Sequence, residues 1–192
     1  RHEGKDYDPY TSMYGHRIPD AISPGQELYA LAGTFAPIRI FDLLHGGSRQ
    51  LDGSLPEGRW ILIRFTPEAD RLLTVQHATV SDERDGDRKE EIILTLWDLT
   101  TGKQVVRTCW RGDMGKEWND YPRDLVVGRT HLAWCGNHGV IAVHDARTLE
   151  PLSRVRVTED VNGLAFSPDE KALAVTGDAG VRIMELVDDT HR

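Results

Sequence analysis

Apolar residues in this chain come in short runs, each stopped by turn-forming residues. A run ending at Ile22 meets Ser23-Pro24, turn residues follow, and a second run covers Leu28 to Ala32. The stretch from Ile22 to Gly33 aligns without a gap on Phe166 to Gly177, and a third copy runs from Phe65-Thr66-Pro67-Glu68 to Leu72-Leu73-Thr74-Val75. An apolar run, a Ser/Thr-Pro turn and a second apolar run is how two strands joined by a tight turn read, so each copy predicts a hairpin.

A little further on, a third run ends in an acid: Ile38 to Asp42, Leu94 to Asp98, Ile141 to Asp145 and Val181 to Glu185. These acids recur about every 40–56 residues, which brackets a repeat of about 40–45 residues with insertions. Alternation puts Ile38, Ile40 and Asp42 on one side and Arg39 and Phe41 on the other, as in a sheet covered on both faces by neighbours. Turn residues and a fourth run then follow, Gln104 to Thr108 in the second unit and Leu152 to Val157 in the third. The expectation is an all-β chain of β-propeller blades, each of four antiparallel strands.

These residues resemble the WD-repeat family of β-propellers. The most specific matches are Gly15-His16 ahead of Phe41-Asp42, the Phe-Ser-Pro-Asp turn at 166 to 169, and Leu96-Trp97-Asp98-Leu99 followed by Thr101-Gly102-Lys103. Trp-Asp itself occurs once; the other units carry Phe41-Asp42, His144-Asp145 and Met184-Glu185. Of the turn aspartates that brace the second-to-third-strand corner in this family, Asp178 alone sits where expected. The resemblance implies an N-terminal extension over 1–14 and blades over 15–53, 59–109, 123–158 and 160–192, the last lacking its fourth strand.

Known rings use typically four to eight blades, and four are present here at most. In this family a strand from the N-terminus usually completes the last blade, but residues 1–14 are polar and contain Pro9. An open arc would expose more than the few hundred Å² of apolar surface that monomers tolerate. At about 25 cal/mol per Å² that forfeits on the order of 10 kcal/mol, comparable to a domain's whole stability. The ring is therefore expected to be finished elsewhere, by a preceding part of a longer polypeptide or by another chain, a second copy included.

Composition narrows the partners. With 192 residues, 39% hydrophobic and 28% charged, the chain has the make-up of a soluble globular protein. A net charge of −8, a pI near 5.4 and the lack of a Lys/Arg block argue against nucleic acid. No apolar run approaches the roughly 20 residues that span a bilayer, so no membrane partner is expected. Cys109 and Cys135 make no disulfide framework, which fits a reducing, cytoplasmic setting.

Two insertions interrupt the repeat, Thr79 to Glu91 and Cys109 to Pro122, and in an up-down-up-down blade both emerge on the same face of the ring. Loops on a rigid scaffold concentrate binding residues, and Trp110, Arg111, Trp118 and Tyr121 are types favoured as interface anchors. With Arg84 and Arg88 they form the candidate partner-binding rim. The alternative is that the charged insertion is a solvated hairpin tip and that the tryptophans cover the top of the core. Asp82, Glu83, Asp85 and Asp87 lack the ligand spacing of a helix-flanked calcium loop. Cys135, His138 and His144 suggest zinc, but Cys135 and His144 belong to neighbouring strands and His144 holds the repeat's aromatic position, so a structural histidine is expected and no metal or other cofactor.

No nucleophile elbow, Gly-rich phosphate loop or His-Glu-x-x-His helix is present, so the chain is read as a non-enzyme. The expected function is a protein-interaction scaffold or recognition module within a larger assembly. A competing reading is the recognition or regulatory part of an enzyme whose catalytic domain lies upstream or in a partner chain. A channel-based enzyme or small-ligand sensor would need convergent polar groups on the innermost strands, which offer Asn162 and Arg64.

Overall fold

A computed structural model describes residues 19–33, 37–52, 58–81, 88–110, 122–136, 139–158 and 160–186. Their strands fall into successive antiparallel sheets. Blade 1 is β1 (Asp20–Ile22), β2 (Leu28–Ala32), β3 (Ile38–Asp42) and β4 (Ser48–Gln50). Blade 2 is β5 (Gly58–Phe65), β6 (Arg71–Ser81), β7 (Arg88–Asp98) and β8 (Gln104–Trp110). Blade 3 is β9 (Pro122–Val127), β10 (His131–Gly136), β11 (Val140–Asp145) and β12 (Pro151–Arg156). Blade 4 has β13 (Val161–Phe166), β14 (Ala172–Gly177) and β15 (Gly180–Glu185), and every strand pairs with its sequence neighbour. The all-β, blade-forming expectation holds.

The first strands lie together, β1 against β5, β5 against β9 and β9 against β13, so they form the inner edge of an arc. Register makes the blades superimposable: Leu28↔Asp42, Arg71↔Asp98, His131↔Asp145 and Ala172↔Glu185 are the same pair four times over.

Local chemistry explains the turns. The Ser23 hydroxyl accepts from the N–H of Leu28 at 3.0 Å, Thr66 from Arg71 at 3.2 Å and Ser167 from Ala172 at 3.0 Å. Each hydroxyl closes its hairpin in place of a backbone acceptor. Three residues on, Gln26, Ala69 and Glu170 all sit at positive φ, between 55° and 59°. The repeat's acid has an equally local task. Asp42 accepts from the N–H groups of Leu44 and His45, Asp98 from the N–H and hydroxyl of Thr101, and Asp145 from the N–H groups of Arg147 and Thr148. The N–H of His45 is the largest influence holding Asp42 below the usual carboxylate range, and that of Thr101 does the same for Asp98.

Strand alternation gives each blade a front face, turned toward the next blade, and a back face, turned toward the previous one. Ala30, Ala32, Ile38 and Ile40 on the front of blade 1 pack on Ile63, Phe65, Leu72, Trp97 and Leu99 of blade 2. Leu73, Val75, Leu94 and Leu96 of blade 2 pack on Leu132, Trp134 and Ala142 of blade 3. Ala133, Cys135, Ile141 and Val143 of blade 3 pack on Val161, Leu173 and Val175 of blade 4, with Phe166, Met184 and Leu186 beside them. Stability in such a stack is a sum of neighbour interfaces, each made from residues distant in sequence.

Candidate protein-interaction surfaces

The expected rim lies at the end of the arc where β6 and β8 finish and β7 begins. Residues 79–81 and 88–91, expected in a loop, belong to strands instead: β6 and β7 run 11 residues each, against 5 or 6 for the matching strands of the other blades. Their pairing continues to Ser81↔Arg88 because Thr79 and Val80, good strand formers, extend the alternation outward. The matching hairpin of blade 1 stops at Ala32↔Ile38, the equivalent of Val75↔Leu94. At about 3.3 Å per residue, the blade 2 ribbon therefore projects about 20 Å further.

Arg88 opens β7 near the end of this ribbon. Cys109 and Trp110, also expected in a loop, close β8, with Trp110 in register with Ile92. Arg84, Arg111, Trp118 and Tyr121 lie outside the described residues, as do Asp82, Glu83, Asp85 and Asp87. The backbone thus brings the positions of Arg88 and Trp110 to one end of blade 2.

The inner strands carry more polar chemistry than the sequence suggested, and it ties blades together. Arg64 of blade 2 donates to the Leu125 carbonyl at 3.2 Å and to Asp124 at 3.4 Å in blade 3. Asp124 in turn accepts from the N–H of Leu164 in blade 4 at 3.0 Å. Asn162 accepts from Arg123 at 3.4 Å and donates to Asp178 at 3.3 Å, so Asp178 braces β13. Arg64 and Asn162 thus hold neighbouring strands. A notch of about 20 Å³ between Val161, Val175, Arg182 and Met184 has room for one water molecule.

A second tie sits at the opposite end. Glu170, in the blade 4 turn, accepts from the Thr130 hydroxyl at 2.7 Å, the Thr130 N–H at 2.9 Å and the His131 N–H at 3.3 Å, and also from the Arg129 N–H. Burial alone would raise its pKa, but the Thr130 hydroxyl and these N–H groups outweigh burial and pull it down to about 2. Nothing in the local sequence marks Glu170, since its partners lie 39 to 41 residues away.

Cys135 and His144 lie on opposite faces of blade 3. Cys135 packs on the front of blade 3, with burial pushing its thiol up to about 11, and its Sγ lies 3.9 Å from the Val161 carbonyl. His144 faces the back, where Nε2 accepts from the Trp134 indole at 3.2 Å and Nδ1 bonds the Leu149 carbonyl at 3.1 Å. Burial lowers its pKa, so it is a neutral structural histidine, taking the role Trp97 fills in blade 2 by donating to Thr74 at 3.0 Å. His138 lies outside the described residues. Among the described residues no helix is long and apolar enough to cross a membrane.

The arc's two ends supply a further surface that sequence reading placed only in outline. Val181 and Ile183, on the front of blade 4, are 68% and 67% exposed, whereas Ile40, the register equivalent of Ile183, is 2% exposed. Leu43, on the back of blade 1, is 52% exposed, whereas its equivalent Leu99 is 3% exposed. Each such side chain left in water forgoes about 1.5–3 kcal/mol. The repeat aligns Val181 and Ile183 with Ile38 and Ile40, and the sequence already pointed to exposed faces at the ends of an open arc.

At the level of fold the arc is similar to two solved structures. It superposes on the crystal structure of the computationally designed Ika4 protein with a TM-score of 0.60 and 16% identity, over 91% of this chain and 95% of that one. It superposes on a chain of the Mitotic Checkpoint Complex with a TM-score of 0.60 and 16% identity, over 84% of this chain. This chain spans 46% of the length of that one. No protein-family model and no curated protein matches the sequence. Four-stranded antiparallel sheets, stacked face to face along their first strands, and these two likenesses together identify an arc of propeller-like blades.

Proposed function

We propose that this chain is a protein-interaction module, a WD-like propeller arc that holds a protein partner on the rim of blades 2 and 3 and performs no catalysis. The observation that carries this reading is the β6–β7 ribbon, which runs about 20 Å beyond the neighbouring hairpins at about 3.3 Å per residue. A projecting ribbon on a rigid stack enlarges a contact surface without disturbing the core. On this reading the anchor-type residues are Trp110, Arg111, Trp118 and Tyr121, with Arg84 and Arg88; of these, Arg88 opens β7 and Trp110 closes β8, and the others lie outside the described residues. Likeness to a chain of a multi-protein complex is consistent with a protein partner.

The test replaces Trp110, Trp118 and Tyr121 by alanine together, and separately shortens the ribbon to a tight turn joining His77 to Ile92. Proteins captured by the unaltered chain are compared with those captured by each variant, alongside melting temperature. Loss of the same partner from both variants, with melting unchanged, is expected. Capture that persists in two folded variants rejects the rim as the binding face.

A further inference from the structure

Every covered front face in the arc is met by the back face of another blade, and among the described residues the front of blade 4 and the back of blade 1 meet no other blade. On the front of blade 4, Ala174 and Thr176 of β14 stand beside Val181 and Ile183 of β15. The covered front of blade 1 has Ala30 and Ala32 beside Ile38 and Ile40, and that of blade 3 has Ala133 and Cys135 beside Ile141 and Val143. All three present small residues on the second strand and β-branched residues on the third.

On the back of blade 1, Tyr29 and Phe41 are cross-strand partners whose rings lie 6.0 Å apart, with Leu31 and Leu43 alongside. The same positions in blade 2 are Leu72, Trp97, Thr74 and Leu99, which cover the small front face of blade 1. Bulky back on small front is how blade 2 packs on blade 1 and blade 4 on blade 3, whereas the front of blade 2 carries Leu73, Val75, Leu94 and Leu96; the two free faces match the former pairing. Among the described residues no apolar cluster joins blade 4 to blade 1.

We propose that two copies of this chain pair head to tail, the front of blade 4 in each packing on the back of blade 1 in the other, to close one ring. A two-fold axis satisfies both free faces of both copies at once. Eight blades result, within the range that closed propellers use, which is typically four to eight. Pairing through one face alone would instead give an unclosed head-to-tail series that grows into fibres. This pairing is independent of the rim reading, because the ring faces and the blade 2 ribbon involve different residues.

Sedimentation and light scattering on the 192-residue chain give the first readout: a discrete species of twice 21.6 kDa. A chain that stays at 21.6 kDa at every concentration, or that grows without limit, overturns the proposal. Val181→Arg with Ile183→Arg spoils the front of blade 4, and Leu43→Arg with Leu31→Arg spoils the back of blade 1. Each double variant alone should weaken pairing at least a hundredfold with unchanged circular dichroism. Mixed together they should recover a two-chain species, since one front and one back remain intact. If the Leu43/Leu31 variant still pairs as well as the parent, the contact is front to front and the proposal fails. Should either variant lose its fold, a photo-crosslinker at position 183 decides: attachment to the 29–43 region of another copy is expected. Attachment to residues 1–18 of the same chain, or to blade 4 of another copy, refutes it.

Discussion

Glu170 gives the sharpest test of the idea that blades are clasped by contacts remote in sequence. Its carboxylate is 14% exposed and collects the Thr130 hydroxyl and the N–H groups of residues 129 to 131. Those groups hold its pKa at about 2, against an ordinary 4.5. A shift of that size corresponds to about 3 kcal/mol favouring the ionised, folded form, at 1.36 kcal/mol per pKa unit. Because the folded value is depressed, this contribution is complete above pH 4.5 and is lost as pH falls toward 2.

Glu170→Gln keeps the shape but discards the charge, so it should unfold in less urea at pH 7, by up to about 3 kcal/mol, and the two proteins should converge near pH 2. Urea unfolding at several pH values, followed by circular dichroism, measures the difference. Hydrogen exchange should place the loss in β13–β15, since a stack weakens at the interface that is cut. Gly128→Ala should mimic the substitution, because its new Cβ would meet the Glu170 carboxyl carbon at 2.5 Å. Parallel pH dependence for the parent and the glutamine variant would refute the clasp.

Other substitutions probe single features of the repeat. Gly177→Ala would drive a Cβ onto the Asp160 carbonyl oxygen, a backbone atom with little room to yield, and should cost about 1–3 kcal/mol in urea unfolding, while Gly25→Ala, with nothing closer than 3.7 Å, should be neutral. Ala69→Gly should raise stability by about 0.5–1 kcal/mol in thermal unfolding, because Ala69 sits at φ 57° where a side chain is strained. Trp97→Phe removes the indole bond to Thr74 and leaves a gap in the blade 1–blade 2 core, so a loss of about 2–3 kcal/mol is expected by chemical unfolding. A neutral outcome at Trp97 would mean that the repeat's aromatic position is not a packing anchor.

What the sequence determined by itself was everything that depends on neighbours a few residues away. Ser23, Thr66 and Ser167 announce their hairpins because each hydroxyl closes a turn within five residues. Asp42, Asp98 and Asp145 announce strand ends because they accept N–H groups two or three residues on. Alternation in Ile38 to Asp42 then assigns faces, and four recurrences of that run give blades. The structural role of His144 was legible too, because it holds the aromatic position of the repeat that Trp97 holds in blade 2.

The tertiary structure decided what crosses from one blade to the next. Loop limits were misplaced at Thr79–Glu91 because strand continuation depends on a partner strand, and Thr79 and Val80 of β6 go on pairing with Glu90 and Lys89 of β7. Glu170, Arg64 and Asp124 carried no local mark, because their partners sit 39 or more residues away and are fixed only once the blades stack. The sequence assigns Ile40 and Ile183 the same place in the repeat, yet one is buried and the other bare. Burial is a property of what lies opposite, and only the arrangement of whole blades in space settles that.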